Sequence, residues 1–361
     1  MPEKFYQLTV AERRAKLQLT ADSLAEFKNQ ALSAELADSL VENQISEVEI
    51  PLGVCFIKVD DKKYTVPMAT EEPSVIAAAN HGAKLAGNFT TLENTRIMSG
   101  QIVFYDVADT KALTDAIDAR RAEIHATAKA AYPSLYKRGG GLLDFTCDSF
   151  EDWLSVDCQF DTQDAMGANM INTMLEAVAA YLRAEFPDEK ILYAILSNEN
   201  CNCKTTVSCQ LDISDIDKAL AEKIVVASKH AQLDQARAAT HNKGIMNGVE
   251  AIALAAGNDT RALAAANYTF AENRGLSTWS IENDSLIGKI TLSLPIATAG
   301  GATHRLPKAT ASLDLLGNPD AKTLATVVAA VGLANNLAAL KALVSEGIQK
   351  GHMALTDRLK K

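Results

Sequence analysis

Hydrophobic positions along the chain switch between a helical and an alternating period. Leu17, Leu24 and Phe27 recur at helical spacing, and Thr9 with Glu12 makes a capping-box pattern, so residues 9–31 predict helices, continued by residues 34–42. Residues 51–68 alternate about Asp60-Asp61-Lys62, a hairpin signal. Pro73 suits the first turn of a helix that runs to about Leu85. Residues 101–107 read as a strand, 110–132 as an amphipathic helix stopped near Pro133, and Gly139-Gly140-Gly141 as a flexible corner. Residues 153–160 read as a strand, Met170, Met174, Val178 and Leu182 line one side of a helix, and residues 191–196 are another strand. This succession predicts a compact α/β sandwich inserted at about residues 97–202. Residues 1–96 and 203–350 then make a larger, discontinuous domain. Within it, residues 218–234 are helical and 277–295 form a hairpin about Glu282-Asn283-Asp284. Residues 321–355 are a long Ala/Leu-rich helical region interrupted by Gly332 and Gly347.

Composition narrows the class. Hydrophobic content of 48% and charged content of 22% allow a packed core and exclude wholesale disorder. Aromatics are only 6% while Ala-rich runs abound, which favours helices packed closely on small side chains. A net charge of -10 without any Lys/Arg stripe argues against a nucleic-acid partner. No run reaches about 18 uninterrupted apolar residues, so no membrane span is expected. The N-terminus has no apolar signal core, and a cytoplasmic protein is expected. Its six cysteines are then thiols, and Cys201, Cys203 and Cys209 make a poor zinc pattern, so no metal is expected. Neither G-x-G-x-x-G nor a P-loop is present.

Candidate chemistry gathers in residues 240–261. Lys243 lies among small and polar residues, ahead of a short apolar run (Ile252 to Ala255) and a Gly257-Asn258-Asp259 turn. Taken alone, this also reads as an ordinary helix with a Lys near its start and a Gly-Asn stop. Glu72 and His352 likewise sit beside small residues at the ends of regular elements. The loop Asp164 to Asn169 joins a strand to a helix N-terminus, where backbone amides and the positive helix end can face an anion.

Six ordered motifs then resemble one family along nearly the whole chain. They are Glu42-Asn43-Gln44-Ile45, Glu71-Glu72-Pro73-Ser74, Asp164-Ala165-Met166-Gly167-Ala168-Asn169, residues 240–248, Gly257-Asn258-Asp259, and residues 346–353 around Gly351-His352-Met353. The chain resembles class II (bacterial) hydroxymethylglutaryl-CoA reductase. The resemblance implies an α+β protein with a large, mainly helical domain binding the CoA substrate. It also implies an inserted small, ferredoxin-like, non-Rossmann cofactor domain and a homodimer with active sites at the interface. Its implied activity is reduction of hydroxymethylglutaryl-CoA to mevalonate and CoA with two NAD(P)H. In the implied roles, Lys243 holds the substrate carbonyl oxygen, Glu72 exchanges a proton there, Asp259 tunes both, and His352 protonates the departing thiolate. Asn43, Ser74, Arg237 and Asn247 match substrate-contacting or pocket-shaping positions, with Arg237 suited to the glutaryl carboxylate. Asp164, Met166, Gly167, Asn169 and Asn198 make the implied cofactor set.

Two departures qualify the match. The family continues past its His motif into a C-terminal flap, whereas residues 351–361 carry only a remnant. Members that prefer NAD place an acid near the adenine ribose; here Ala130 to Ser134 has none and Lys129, Lys137 and Arg138 lie nearby, which favours NADPH over NADH. An NAD-dependent oxidative direction and an inactive CoA- or nucleotide-binding dimer are the alternatives. One geometric expectation is sharp. If Asn247 to Ala256 is a regular helix about 15 Å long, Lys243 and Asp259 meet only if it is short or irregular and its flanking loops fold back.

Overall fold

The computed structural model describes residues 4–28, 32–40, 45–345 and 347. Thr9 caps α1 (Val10–Lys16), accepting from the Glu12 amide while Glu12 answers at the Thr9 amide. α2 (Ala21–Glu26) and α3 (Ala34–Leu40) follow. The first hairpin joins β1 (Leu52–Val59) to β2 (Lys62–Ala69), and Asp60 and Asp61 take the positive φ that a two-residue turn needs. α4 (Val75–Ala86) leads to β3 (Phe89–Asn94). A second sheet begins with β4 (Met98–Tyr105), followed by α5 (Thr110–Asp118), α6 (Arg121–Ala131) and α7 (Pro133–Lys137). It is completed by β5 (Gly141–Phe150), β6 (Trp153–Asp161), α8 (Ala168–Glu185) and β7 (Lys190–Ser197). The chain returns through β8 (Lys204–Asp212), α9 (Ile213–Ile216), α10 (Lys218–Leu233), α11 (Gln235–Ala255) and α12 (Thr260–Ala271). It closes with β9 (Ser277–Glu282), β10 (Ser285–Ser293), α13 (Pro307–Leu315) and α14 (Ala321–Val344).

Two sheets and two hydrophobic cores result. The four-stranded sheet, ordered β5-β6-β4-β7, is antiparallel throughout, and its elements run β-α-β-β-α-β. The other sheet has six strands, ordered β2-β1-β3-β8-β10-β9. The larger unit holds more helix than strand, and a broad sheet also runs through it. Its central strands hide in the sequence because β3 is short and β8 is rich in Thr, Ser and Cys. Thr206 keeps its hydroxyl satisfied inside the sheet, 3.1 Å from that of Thr291. The predicted helix over residues 110–132 also divides. Arg120 leaves helical angles (φ -107, ψ 18) and its guanidinium pairs with Glu185 of α8 at 2.9 Å.

α14 is the axis of the larger core. It is apolar nearly all round, the pattern of a helix wrapped on every side. It packs against α4, α10, α11 and strands of the six-stranded sheet. By length and composition alone α14 is able to cross a membrane, but most of it is buried inside the protein. Gly332 does not interrupt it. A Cβ there would lie 3.2 Å from a Val249 methyl and 3.3 Å from one of Ile245, so the glycine lets α11 approach.

Candidate active site

α11 sets the geometry. Asp234 caps it, accepting from the Arg237 amide at 3.0 Å. The helix then runs 21 residues without a break through Asn242-Lys243-Gly244 and Asn247-Gly248, which are poor helix formers. Its buried face explains the continuity: Ala238, His241, Ile245, Gly248, Val249 and Ile252 pack into the core. Lys243 thus stands in mid-helix, not near a helix start. Beyond the end, Gly257 takes φ +70 and the Asn258 amide reaches back to the Ala253 carbonyl at 2.8 Å, a glycine-dependent stop. Asn258 pairs both ways with Ala297, at 2.6 and 3.0 Å. Asp259 caps α12, accepting from the Arg261 and Ala262 amides at 2.9 and 3.1 Å and from the Arg261 guanidinium at 3.2 Å.

Lys243 Nζ donates to Glu72 Oε2 at 2.6 Å. Glu72 comes from the turn between β2 and α4, where its own amide donates to Thr70 Oγ1 at 3.2 Å. Ser74 precedes α4 with φ +81. The Lys243 and Glu72 side chains are 63% and 37% exposed. An ion pair this open adds about 0–1 kcal/mol of stability, so stability does not account for it. Asp259 does not join this pair within one chain. The helix between Lys243 and Ala255 alone spans about 18 Å, and α11 is neither short nor irregular. The condition for a Lys243–Asp259 contact is therefore unmet.

Other residues share the exposed side of α11. Asn247 lies one turn from Lys243, and Glu250 two turns away on the same face. Burial pushes the half-buried Glu250 carboxyl upward; the Lys243 ammonium opposes this and Glu71 adds to it. Sequence reasoning missed Glu250, although seven-residue spacing from Lys243 is a usable helical signal. Gly244 has open space where a Cβ would stand. Arg237 occupies the first turn, and its Nε is sealed from solvent without a hydrogen-bond partner among the described residues. Asn43 and His352 lie outside the described residues.

The Asp164 loop forms a second cluster. Gly167 takes φ +89 just before α8, and a Cβ there would strike Thr162. Arg96, buried and unnoticed in the sequence, holds the loop from beneath, donating to the Gln163 and Ala165 carbonyls at 2.6 and 2.7 Å. The Asp164 carboxylate accepts from the Ala321 amide at the start of α14, 2.8 Å away. Asp164 thereby tethers the loop of the smaller core to the first turn of α14 in the larger one. Met166 packs against the smaller core, and Asn169 stands exposed in the first turn of α8. Asn198 is exposed just beyond β7.

Comparisons with known proteins agree with these motifs. The family model described as hydroxymethylglutaryl-coenzyme A reductase matches residues 9–357. An Archaeoglobus fulgidus 3-hydroxy-3-methylglutaryl-coenzyme A reductase is 38% identical, with 98% of this chain and 85% of that protein covered. A probable reductase of the same name from Borreliella burgdorferi is 30% identical over the same shares. Among solved structures, a class II reductase from Streptococcus pneumoniae, described as bound to NADPH in open conformations, superposes with TM-score 0.91 at 41% identity. That match covers 94% of this chain and 99% of the other. A second structure from the same organism gives TM-score 0.92 at 42% identity, covering 98% and 89%.

Proposed function

The chain belongs to the hydroxymethylglutaryl-coenzyme A reductase family, and on that premise we propose how its residues share the reduction of (S)-3-hydroxy-3-methylglutaryl-CoA to (R)-mevalonate and CoA. In this family the reaction serves the mevalonate route to isoprenoids. The reduced nicotinamide supplies two hydrides in succession, for four electrons. Lys243 holds the thioester oxygen and stabilises the negative charge that arises when the carbonyl carbon gains hydride; a pre-placed ammonium in a covered site contributes several kcal/mol to such a step. Collapse of that oxyanion restores the carbonyl as mevaldehyde and expels the CoA thiolate, which His352 protonates. Lys243 holds the same oxygen again during the second reduction, and Glu72 delivers the proton that completes the alcohol. Asp259 adds a further carboxylate, so protons are shared across the group rather than owned by one residue. Arg237 binds the terminal carboxylate, and Asn43, Ser74 and Asn247 shape the pocket around it.

The observation that carries this reading is the 2.6 Å contact between Lys243 and Glu72, made across 171 residues of sequence and contributing little to stability. Its exposure in a single chain supports a homodimer whose partner covers the site. For the cofactor, the smaller unit (residues 97–202) acts as a ferredoxin-like binding domain. Its support is the β-α-β-β-α-β succession and the α8 N-terminus, where Gly167 leaves amides and the positive helix end available to a pyrophosphate. Met166 and Asn169 flank that position and Asn198 lies beyond β7. The absence of an acid in Ala130 to Ser134, with Lys129, Lys137 and Arg138 close in sequence, favours NADPH over NADH. No metal has a part in this scheme, and the enzyme works in the cytoplasm.

The test is the loss of reduced-nicotinamide absorbance with hydroxymethylglutaryl-CoA, run in parallel with NADPH and NADH. Turnover with a preference for NADPH is expected. No turnover with either sinks the assignment, and a strong NADH preference sinks the cofactor choice alone. Lys243→Ala should abolish turnover while leaving the fold and oligomeric state intact; loss of the fold would make Lys243 structural.

A further inference from the structure

A cavity of about 350 Å³ lies where the end of α12 meets the outer face of β9 and β10. Lys289 and Thr291 alternate with Ile290 and Leu292, which pack into the larger core, so both belong to the outer face. Thr278 stands opposite Lys289 on β9. Phe270 of α12, with Arg274 and Leu276 of the loop that follows, also line the cavity. This loop is held in place. Glu272 and Asn273 turn it with φ +47 and +64. Asn242 of α11 then clasps it, donating from Nδ2 to the Arg274 carbonyl and accepting from the Leu276 amide, each at 2.8 Å. Gln232 of α10 donates to the Gly275 and Ser277 carbonyls at 2.9 and 3.0 Å. The loop lies against the buried face of α11, where a Cβ on Gly275 would stand 3.3 Å from His241 Cδ2. Lys243 follows two residues later, about 200° around the helix. The cavity and the Lys243–Glu72 pair therefore occupy different sides of α11.

The charge on this wall is unbalanced. Among the described residues neither Arg274 nor Lys289 has an ion-pair partner. A third cation, Lys204, stands 6.0 Å from the centre of the Phe270 ring. Against these the cavity carries one carboxylate, Glu272. On a protein of net charge -10, cations that converge unpaired on a concave wall favour an anionic ligand. The planar fork of Arg274, the ammonium of Lys289 and the hydroxyl of Thr278 together offer donors to several oxygens of one phosphate group. Phe270 and Leu276 offer apolar surface to whatever the phosphate is attached to. We propose that this cavity binds a small phosphomonoester with an apolar body, at a site separate from those of the CoA substrate and the nicotinamide cofactor. No bond forms or breaks there; recognition is the phosphate on the two cations and the body against the Phe270 ring.

Isothermal titration of the intact enzyme with phenyl phosphate tests this, with CoA and NADPH present at saturation so that their own phosphate sites are filled. Phenyl phosphate should bind at least about tenfold more tightly than inorganic phosphate or phenol, each of which supplies half of the recognition. Arg274→Gln and Lys289→Gln should each weaken it by about tenfold, and Lys289→Glu should abolish it. Turnover of hydroxymethylglutaryl-CoA should stay at the wild-type level in all three variants, because the Lys243–Glu72 pair is untouched. No binding of phenyl phosphate, or binding that both Gln variants retain, overturns the proposal. Equal binding of inorganic phosphate overturns it as well, since the cavity is then a surface contact for any anion. Displacement by CoA, or turnover lost together with binding, joins the cavity to the substrate site and overturns its separateness.

Discussion

At the scale of single residues, buried His241 couples folding to pH. Burial, with the Arg237 charge second, pulls its pKa from 6.5 to about 4. The unfolded chain therefore takes up a proton near pH 6.5 that the folded ring refuses until about pH 4. Stability is undiminished above the unfolded value and falls as the pH drops through this window, by up to about 1.4 kcal/mol per pH unit. Urea midpoints measured between pH 7.5 and 4.5 should fall more steeply for the wild type than for His241→Gln, a contrast that cancels carboxylates titrating in both proteins. Parallel slopes would show that the folded ring accepts its proton normally. Lys243 and Glu72 are the opposite kind of pair: open to water in one chain, they cost folding little and are free to serve chemistry.

At the scale of elements, α11 and α4 distinguish glycines kept for packing from one kept for another reason. A Cβ on Gly82 of α4 would fall on the carbonyl of Ala334 in α14, so Gly82→Ala must push two core helices apart and should destabilise by about 1–3 kcal/mol. Gly244 of α11 faces open space, and helix propensity alone makes Gly244→Ala stabilising by about 0.5–1 kcal/mol. A raised melting temperature together with a raised KM for hydroxymethylglutaryl-CoA is the expected pair of results for Gly244→Ala. A raised melting temperature with an unchanged KM would show that nothing approaches there. Elements with local signals were legible in the sequence: the β1–β2 and β9–β10 hairpins carry Asp or Asn at the positive-φ turn positions, and the α1 box closes as its spacing predicts. α11 was not legible at full length, because Asn242, Gly244, Asn247 and Gly248 argue locally against a helix that α14 imposes from outside. β5 was hidden behind its glycine corner, and β8 behind its Thr and Cys residues. The motif residues of the candidate site were visible, but their contacts were not. Arg96 beneath the Asp164 loop depends on packing that no local spacing announces.

At the scale of the whole molecule, the role proposed for Asp259 requires a route to Lys243. Within one chain it does not, since α11 separates them and Asp259 is occupied with the first turn of α12. A two-fold dimer offers a route, because a symmetric interface brings the far end of one α11 toward the near end of the other without bending either helix. In such a dimer the Lys243–Glu72 pair of one protomer would receive Asp259 from its partner. Mixing unfolded Lys243→Ala and Asp259→Ala chains and refolding them together checks this directly. Each parent dimer is inactive. If the two residues of a site come from different chains, each mixed dimer holds one site with both side chains intact and one with neither. Random pairing then restores about a quarter of wild-type activity. If both come from the same chain, every site in every dimer lacks one of them, and the mixture stays as inactive as its parents. Recovery should also follow the concentration dependence of dimer formation, which separates a shared site from a trace of wild-type contamination.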